Sequence, residues 1–352
     1  MPCGYPPTSI NSRIVRDLAA ECGFDLAGVT VPRTVPDFGR FRHWVERGLA
    51  GEMRYMTDHR ADVRGDAAHL LPGVQSIVCV GLVYNGPEPY STRFADPERA
   101  WISRYAWGSD YHDAVRTKLE ELNRKLLEIE QFKSRICVDT APLLERSLGR
   151  EAGLGWIGRN TCLINQQLGS WFFLGELLTT LVLESDAPPP DRCGTCTRCI
   201  DACPTAAIVP SPDGQFELDA RLCISYFTIE LRSAIPEAHR AAIGAHVFGC
   251  DICQDVCPWN SRAAETNEPN FHPREFAPGL ERMAGITEAE FREMFRNSPV
   301  SRTKYRGFLR NVAVAMGNAK LAKFREPLMK LAASDDRLVA EHAEWSLQQL
   351  LD

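Results

Sequence analysis

Residues 193–205 read CGTCTRCIDACPT and residues 250–260 read CDICQDVCPWN, two dense cysteine runs that each reach a Cys-Pro step. The first has the spacing CxxCxxCxxxCP of two-cluster ferredoxins, in which three cysteines hold one [4Fe-4S] cube and the fourth belongs to the other cube. On that pattern Cys193, Cys196, Cys199 and Cys257 ligate one cluster. The second run is one cysteine short, so Cys203, Cys250 and Cys253 need a further ligand, and Cys223 in RLCISYF is the nearby candidate. A pair of zinc sites also uses CxxC, but the overlapping triple and the two Cys-Pro endings suit a crossed pair of cubes. The CxxxCxxC arrangement of radical enzymes is absent from both runs. Two such clusters form a one-electron wire with potentials on the order of -400 mV, and a wire needs an acceptor.

The rest of the chain must supply that acceptor. With 352 residues, 44% of them hydrophobic and 24% charged, the composition is that of a globular protein of two or three domains. The N-terminal MPCGYPPTSINSRIV lacks a basic start followed by an apolar run, and the longest apolar stretches, SIVCVGLVY and WFFLGELLTTLVL, are shorter than the ~20 residues that span a bilayer. The second of them contains Glu176. These features predict a cytoplasmic protein without membrane association. Thirteen cysteines in a reducing compartment point to metal rather than disulfides; Cys3, Cys22, Cys79, Cys137 and Cys162, outside the motifs, read as small core or surface residues. The net charge of -6 hides a reversal at residues 301–330, where eight Lys or Arg face one Glu. That is a basic patch on an acidic protein.

The patterning predicts an α+β domain over residues 1–185, a two-cluster ferredoxin-like domain over 186–265 and an α-helical module over 280–352. INSRIVRDLAAEC reads as a helix with Ile10, Ile14 and Leu18 on one face; DLAGVTV, SIVCVGLVY and SRICVDT read as strands, and YHDAVRTKLEELNRKLLEIEQ as a long charged helix. NTCLINQQLGSWFFLGELLTTLVL reads as two strands around a Gln-Gln-Leu-Gly turn. No GxGxxG follows a strand, which argues against a Rossmann domain. The proline-rich ESDAPPPDR precedes the cysteines, and the C-terminal helices, broken at Gly-Asn and Ser-Asp-Asp, fit two antiparallel pairs of a HEAT-like type.

Several stretches together resemble the epoxyqueuosine reductase family: MTDHRADVR, ISRYAWGSDYH, VDTAPLLERSLGREAGLGWIGRNT, the cysteine region with RLCISYFTIE, and RGFLRNVAVAMGN. The resemblance covers nearly the whole chain. It implies a nitroreductase-like, cobalamin-binding domain related to reductive dehalogenases, two [4Fe-4S] clusters that feed electrons to cobalt, and a HEAT-like module that binds tRNA. The implied reaction converts epoxyqueuosine to queuosine at the wobble position, using two electrons and two protons and releasing water, with the protein supplying binding, orientation and a proton. An external low-potential electron donor and a monomeric state are expected.

The family pattern places its catalytic acid at Asp139, which ends the strand SRICVDT. The residue could equally be the N-cap of a helix opening at Ala-Pro, with Thr140 as a rival cap. Arg60, Arg104, Tyr105, Asn160 and Ser225 lie in the matching stretches and are expected, with Asp139, to contact cobalamin. Arg146 and Arg150, in the same stretches, could equally be solvated helix residues, and His59 and His112 read as structural or solvent-facing rather than cobalt ligands. Arg302, Lys304, Arg306 and Arg310 are expected to meet the phosphates of an anticodon stem. A reductive dehalogenase would share the cofactors but has no use for the basic helices. A simple electron carrier would leave the α+β domain idle.

Overall fold

The computed structural model of the chain describes residues 10–351, so Cys3 and most of the N-terminal stretch considered above lie outside the described residues. The chain forms two compact units that are interleaved rather than consecutive. The first takes the chain up to Asn85, then Tyr111–Cys196 and Pro258–Thr266; the second takes Gly86–Asp110, Thr197–Cys257 and Asn267–Asp352. The proline-rich stretch and the first two motif cysteines therefore belong to the first unit.

In the first unit, helix α1 (Ser12–Glu21) is capped by Asn11, whose side chain accepts the Ile14 N–H. Its fully buried positions are Ser12, Val15 and Ala19, with Ile14 and Leu18 only half-buried. The inward face is thus rotated from the expected stripe by one position. Four strands follow: β1 (Leu26–Thr30), β2 (Ser76–Val83), β3 (Ser134–Cys137) and β4 (Phe172–Thr179). Their order in the sheet is β1-β2-β4-β3, and every neighbouring pair is antiparallel. All residues of β2 are buried, as a central strand covered on both faces requires.

The long helix α2 (Tyr111–Ile129) covers one face of this sheet with Val115, Leu119, Leu122 and Leu126. It lies so close to β4 that a Cβ on Gly175 would meet Val115 at 2.7 Å and Leu119 at 3.0 Å, which explains the glycine inside an otherwise bulky strand. Strand side chains alternate, so Glu176 points to the opposite face. That face is covered by the short helix α3 (Glu145–Glu151), among Cys79, Cys137, Leu148, Leu154 and Leu178. The segment read as a strand-turn-strand does turn at Asn165–Gly169, where the Asn165 side chain accepts the Gln167 and Leu168 N–H groups. Its arms enter different sheets, however: Leu163–Ile164 pairs with Trp156–Ile157, and β4 joins the large sheet.

The second unit is built around helix α4 (Lys304–Ala319), buried continuously from Gly307 to Gly317. Helices α5 (Arg325–Ala332) and α6 (Arg337–Gln349) complete the C-terminal group. A Cβ on Gly317 would lie 2.6 Å from the Ser346 hydroxyl, so the approach of α6 to α4 depends on that glycine. A parallel pair of short strands, Trp101–Ile102 and His246–Phe248, joins the same apolar cluster with Trp107, Phe291, Phe295 and Phe308. Among the described residues no helix is long and apolar enough to cross a membrane.

Candidate active site and cysteine centres

Asp139 sits two residues past the end of β3, with a backbone φ of 51°. This left-handed conformation is uncommon outside glycine and is best tolerated by Asn and Asp. Helix α3 begins at Glu145, its N-cap position is Leu144, and no side chain caps it. Asp139 and Thr140 therefore do not cap this helix, because the Ala-Pro segment is an irregular turn and the helix starts later than expected. The Asp139 side chain is 42% exposed, and its Oδ2 lies 3.3 Å from Nε2 of His112 at the start of α2. The His112 ring stacks on Tyr111 (4.3 Å) and Tyr111 on Phe173 (4.1 Å, 4° between planes), and Phe173 packs against Tyr84 at a tilt of 31° (4.3 Å). An accessible carboxyl group beside an imidazole, on a wall of aromatic rings, can hold a proton and deliver it.

Beneath Asp139 lie two carboxyl groups. Oε1 of Glu145 accepts the Asp139 backbone N–H at 2.6 Å. Glu176 is 0% exposed, opposite Cys79 of β2 and Cys137 of β3 in the ladder. Its carboxyl group is within hydrogen-bonding reach of Glu145, and among the described residues no N–H or O–H donates to either of its oxygens. Burial pushes the Glu145 carboxyl up to about 7, with the charge of Asp139 adding to the shift. Burial, reinforced by Glu145, holds Glu176 well above the usual carboxylate range. Neither glutamate stands out by motif; the available signal is one acid inside the apolar run WFFLGELLTTLVL.

Of the other residues expected at a cofactor, two share this unit. Arg60 holds Asp58 through its Nε and Nη2 (3.0 and 2.6 Å) and stays 41% exposed; the pairing draws the Asp58 carboxyl well below its usual range. Asn160 is 5% exposed, and its Oδ1 accepts the Cys162 N–H at 3.2 Å in the turn of the Trp156–Ile164 hairpin. Arg146 reaches the same turn through the carbonyl and hydroxyl of Thr161, and Arg150 pairs with Asp37 and Glu151, so neither is merely solvated.

Arg104, Tyr105 and Ser225 belong to the second unit. The Arg104 guanidinium is buried, donating to the carbonyls of Gly86, Glu88 and Pro89 and lying 4.4 Å from the Trp107 ring. This is an anchor for the 86–90 segment. The Tyr105 ring packs against Phe248. Ser225 directs its N–H and hydroxyl at the sulfur of Cys223.

Cys203, Cys223 and Cys250 lie close enough to feel one another's charge. The Cys203 sulfur accepts the Ala207 N–H at 3.3 Å. Cys223 receives the N–H groups of Ser225 and Tyr226, and Cys250 that of Ile252. Burial pushes the Cys223 and Cys250 thiols up despite these N–H donors, and a bound cation would favour their thiolates. Among the described residues no group of three or more His, Cys, Asp or Glu side chains is placed to hold a single metal ion, and sulfurs within electrostatic reach of one another with N–H donors aimed at them suit the larger iron–sulfur cube. The helical turns bearing Cys199 (Arg198–Asp201) and Cys253 (Ile252–Asp255) pack together. Asp251 fixes the second run by accepting the Trp101 indole (3.2 Å), the Ser103 hydroxyl (2.5 Å) and the Arg104 N–H (2.8 Å). Sequence reading overlooked this acid between the cysteines. Of the motif-external cysteines, Cys79 and Cys137 are buried and Cys22 and Cys162 half-buried.

At the start of α4, Arg302, Lys304 and Arg306 are exposed. Arg302 pairs with Glu230 at 2.8 Å and Arg306 with Asp336 at 3.0 Å. Arg310 must be removed from the phosphate-binding set. It is 0% exposed, and its guanidinium donates to the carbonyls of Phe227, Leu231 and Ser233 and to the Asn311 amide oxygen. A helix buried on all sides turns one of its cations into an internal clamp.

Two family models match the chain: a 4Fe-4S double cluster binding domain over residues 192–260, which includes all eight motif cysteines, and "Epoxyqueuosine reductase QueG, DUF1730" over residues 64–140. The chain is 43% identical to the epoxyqueuosine reductase of Xanthomonas campestris over 350 residues, covering 97% of each chain. It is 40% identical to that of Pseudomonas aeruginosa, covering 95% of this chain and 93% of the relative. Among solved structures, an epoxyqueuosine reductase crystallised with an epoxyqueuosine-modified tRNA-Tyr stem loop superposes with a TM-score of 0.87 at 30% identity, over 97% of this chain and 90% of that one. A Bacillus subtilis epoxyqueuosine reductase whose catalytic loop is swung out of the active site superposes with a TM-score of 0.85 at 29% identity, over 96% of this chain and 90% of that one.

Proposed function

The chain belongs to the epoxyqueuosine reductase family, and from that premise we propose that it reduces epoxyqueuosine to queuosine in tRNA, with Asp139 as the proton donor. The observation that carries the reading is the end-to-end likeness to epoxyqueuosine reductases, with the cysteine pattern inside the double-cluster match. Neither the dehalogenase nor the electron-carrier reading is favoured by it.

When bound, the two clusters carry single electrons and cobalamin supplies the two-electron reductant. Cys203, Cys223, Cys250 and Cys253 would hold one cluster, and the remaining four motif cysteines the other. The unit that carries Asp139 fits a cobalamin-binding, nitroreductase-like domain: Arg60 and the Asn160 amide offer polar contacts to the amide-bearing rim of a corrin, and the Tyr84, Phe173 and Tyr111 rings offer an apolar wall. Asp139 moves a proton from its carboxyl to the departing epoxide oxygen. His112, 3.3 Å away, orients that carboxyl and returns a proton to it from water. The second proton also comes from water, and the products are the alkene and one water molecule.

The C-terminal helices would serve as a HEAT-like tRNA-binding module. Lys304 and its neighbours sit at the N-terminal end of a 16-residue helix without an acid in its first turn, so the positive end of the helix adds to the attraction for phosphate. A tRNA-modifying role fits a cytoplasmic protein.

The test is single-turnover conversion of epoxyqueuosine in a tRNA stem loop by the pre-reduced holoprotein. Asp139→Asn should retain both clusters and cobalamin, change stability little because Asp139 caps no helix, and lose turnover by ~10²-fold or more. Near-normal conversion by the variant would move the acid elsewhere. Absence of conversion by the wild type would overturn the functional reading itself.

A further inference from the structure

The sheet carries an acid that packing alone does not explain. Glu176 occupies the middle of β4, in a layer otherwise made of Cys79, Cys137, Leu148, Leu154 and Leu178, and is 0% exposed. An ionised carboxylate with no donor in such surroundings would cost several kcal/mol. The group within its reach is the Glu145 carboxyl, itself an acceptor. Two acceptors satisfy each other only when one carries a proton.

We propose that Glu145 and Glu176 share one proton and together act as positioning residues for Asp139. Protonated Glu176 donates to Glu145, and Glu145 thereby presents its carboxylate to the Asp139 N–H. That bond, at 2.6 Å, holds Asp139 in its left-handed conformation at φ 51°, with Oδ2 beside His112. A central strand is thus linked to the loop that carries the acid through two side chains. The inference deepens the proposed function and rests on Asp139 being the proton donor in it.

The pair also makes the anchor depend on pH. The groups facing it are Asp139 from the loop, His112 from α2, Arg64 after the Arg60–Val63 turn, and the thiols of Cys79 and Cys137 from β2 and β3. Both carboxyls have raised folded-state values, so the folded protein binds more protons than the unfolded chain. Below about 7 Glu145 carries a proton of its own; as pH rises through that value it becomes the carboxylate that faces the Asp139 N–H, while burial keeps the shared proton on Glu176 to higher pH, where the arrangement is lost. Loss of the shared proton leaves two adjacent buried charges, and Glu145, the less buried member, withdraws from the Asp139 amide.

Glu176→Gln and Glu176→Leu separate this device from simple core packing. Each is compared with wild type and Asp139→Asn as loaded holoprotein, by two readouts across pH 6 to 9: the hydrogen-exchange protection of residues 138–144, normalised to intrinsic exchange, and single-turnover rate against substrate concentration. In the wild type, protection and maximal rate should fall together on the alkaline side with the apparent KM unchanged. Glutamine donates to Glu145 without titrating, so Glu176→Gln should keep protection and abolish that alkaline limb. Glu176→Leu, which removes the donor, should lower protection by ~10-fold at every pH. A Glu176→Gln protein with the wild-type alkaline limb in both readouts overturns the proposal, as does undiminished protection in a folded Glu176→Leu protein; should the leucine variant not fold, the glutamine variant decides. Normal turnover by Asp139→Asn would defeat the assignment of the acid, while the exchange data would still decide whether the pair anchors the loop.

Discussion

Replacing Arg310 with Met tests whether this cation belongs to the core or to the tRNA surface. The side chain is 0% exposed and donates to three backbone carbonyls, those of Phe227, Leu231 and Ser233, and to the Asn311 amide oxygen. Methionine matches the aliphatic stem but supplies no donor. Three buried acceptors and the partly buried Ser233 carbonyl lose a partner, at ~1 to 3 kcal/mol for each group left unpaired. The lower end applies, because methionine also removes a charge that is costly to bury. The sum is about 4 kcal/mol, in the range reserved for broken buried networks. At ~2–4 °C per kcal/mol for a unit of this size, the melting midpoint of the second unit should fall by about 8 to 16 °C. Arg310→Lys, which keeps the charge but not the planar fork, should lie between the two. The assay is thermal unfolding of anaerobically prepared holoprotein by circular dichroism. The salt dependence of tRNA stem-loop binding is measured in parallel, at a temperature where both proteins are folded. A methionine variant that melts within ~2 °C of wild type while binding tRNA with a shallower salt slope would refute the buried-clamp reasoning.

Changing Arg302, Lys304 and Arg306 together to Gln should flatten the plot of log affinity against log salt by at most ~2 to 3, at ~0.7–0.9 per phosphate contact, and leave cobalamin loading intact; an unchanged slope would place the tRNA surface elsewhere. The reduction should fall short of that maximum, because Arg302 and Arg306 already hold Glu230 and Asp336. Cys223→Ala should remove about half of the bound iron, since one of two cubes loses a ligand, and iron analysis with full retention would exclude Cys223 as a ligand.

The chemistry of the cysteines was legible from spacing alone, because iron ligation imposes short, fixed separations that survive in the one-dimensional text. Cys223 is the informative case: the sequence offered it only as the available fourth ligand, and folding brings it beside Cys203 and Cys250. The strands and the long helix were equally legible, since alternation and helical periodicity are local. So was the position of Asp139 at a strand end. Its role as a cap was not excluded until the structure started α3 at Glu145, a boundary that depends on how the Ala-Pro turn packs.

What only the tertiary structure decided is which polar groups face inward. Arg302, Lys304, Arg306 and Arg310 form one basic run in sequence, yet the first three are exposed and the last is buried. Nothing in a helix's own periodicity records that neighbours cover every side of it. Glu176 likewise reads as one charge interrupting an apolar strand. It takes the register that sets it opposite Cys79 and Cys137, and a helix that begins with Glu145 above that face, to bring two acids 31 positions apart in sequence onto a single proton. Local patterns fix the elements and the cysteine spacing, whereas a shared proton or a buried guanidinium is a property of surroundings that only the assembled core creates.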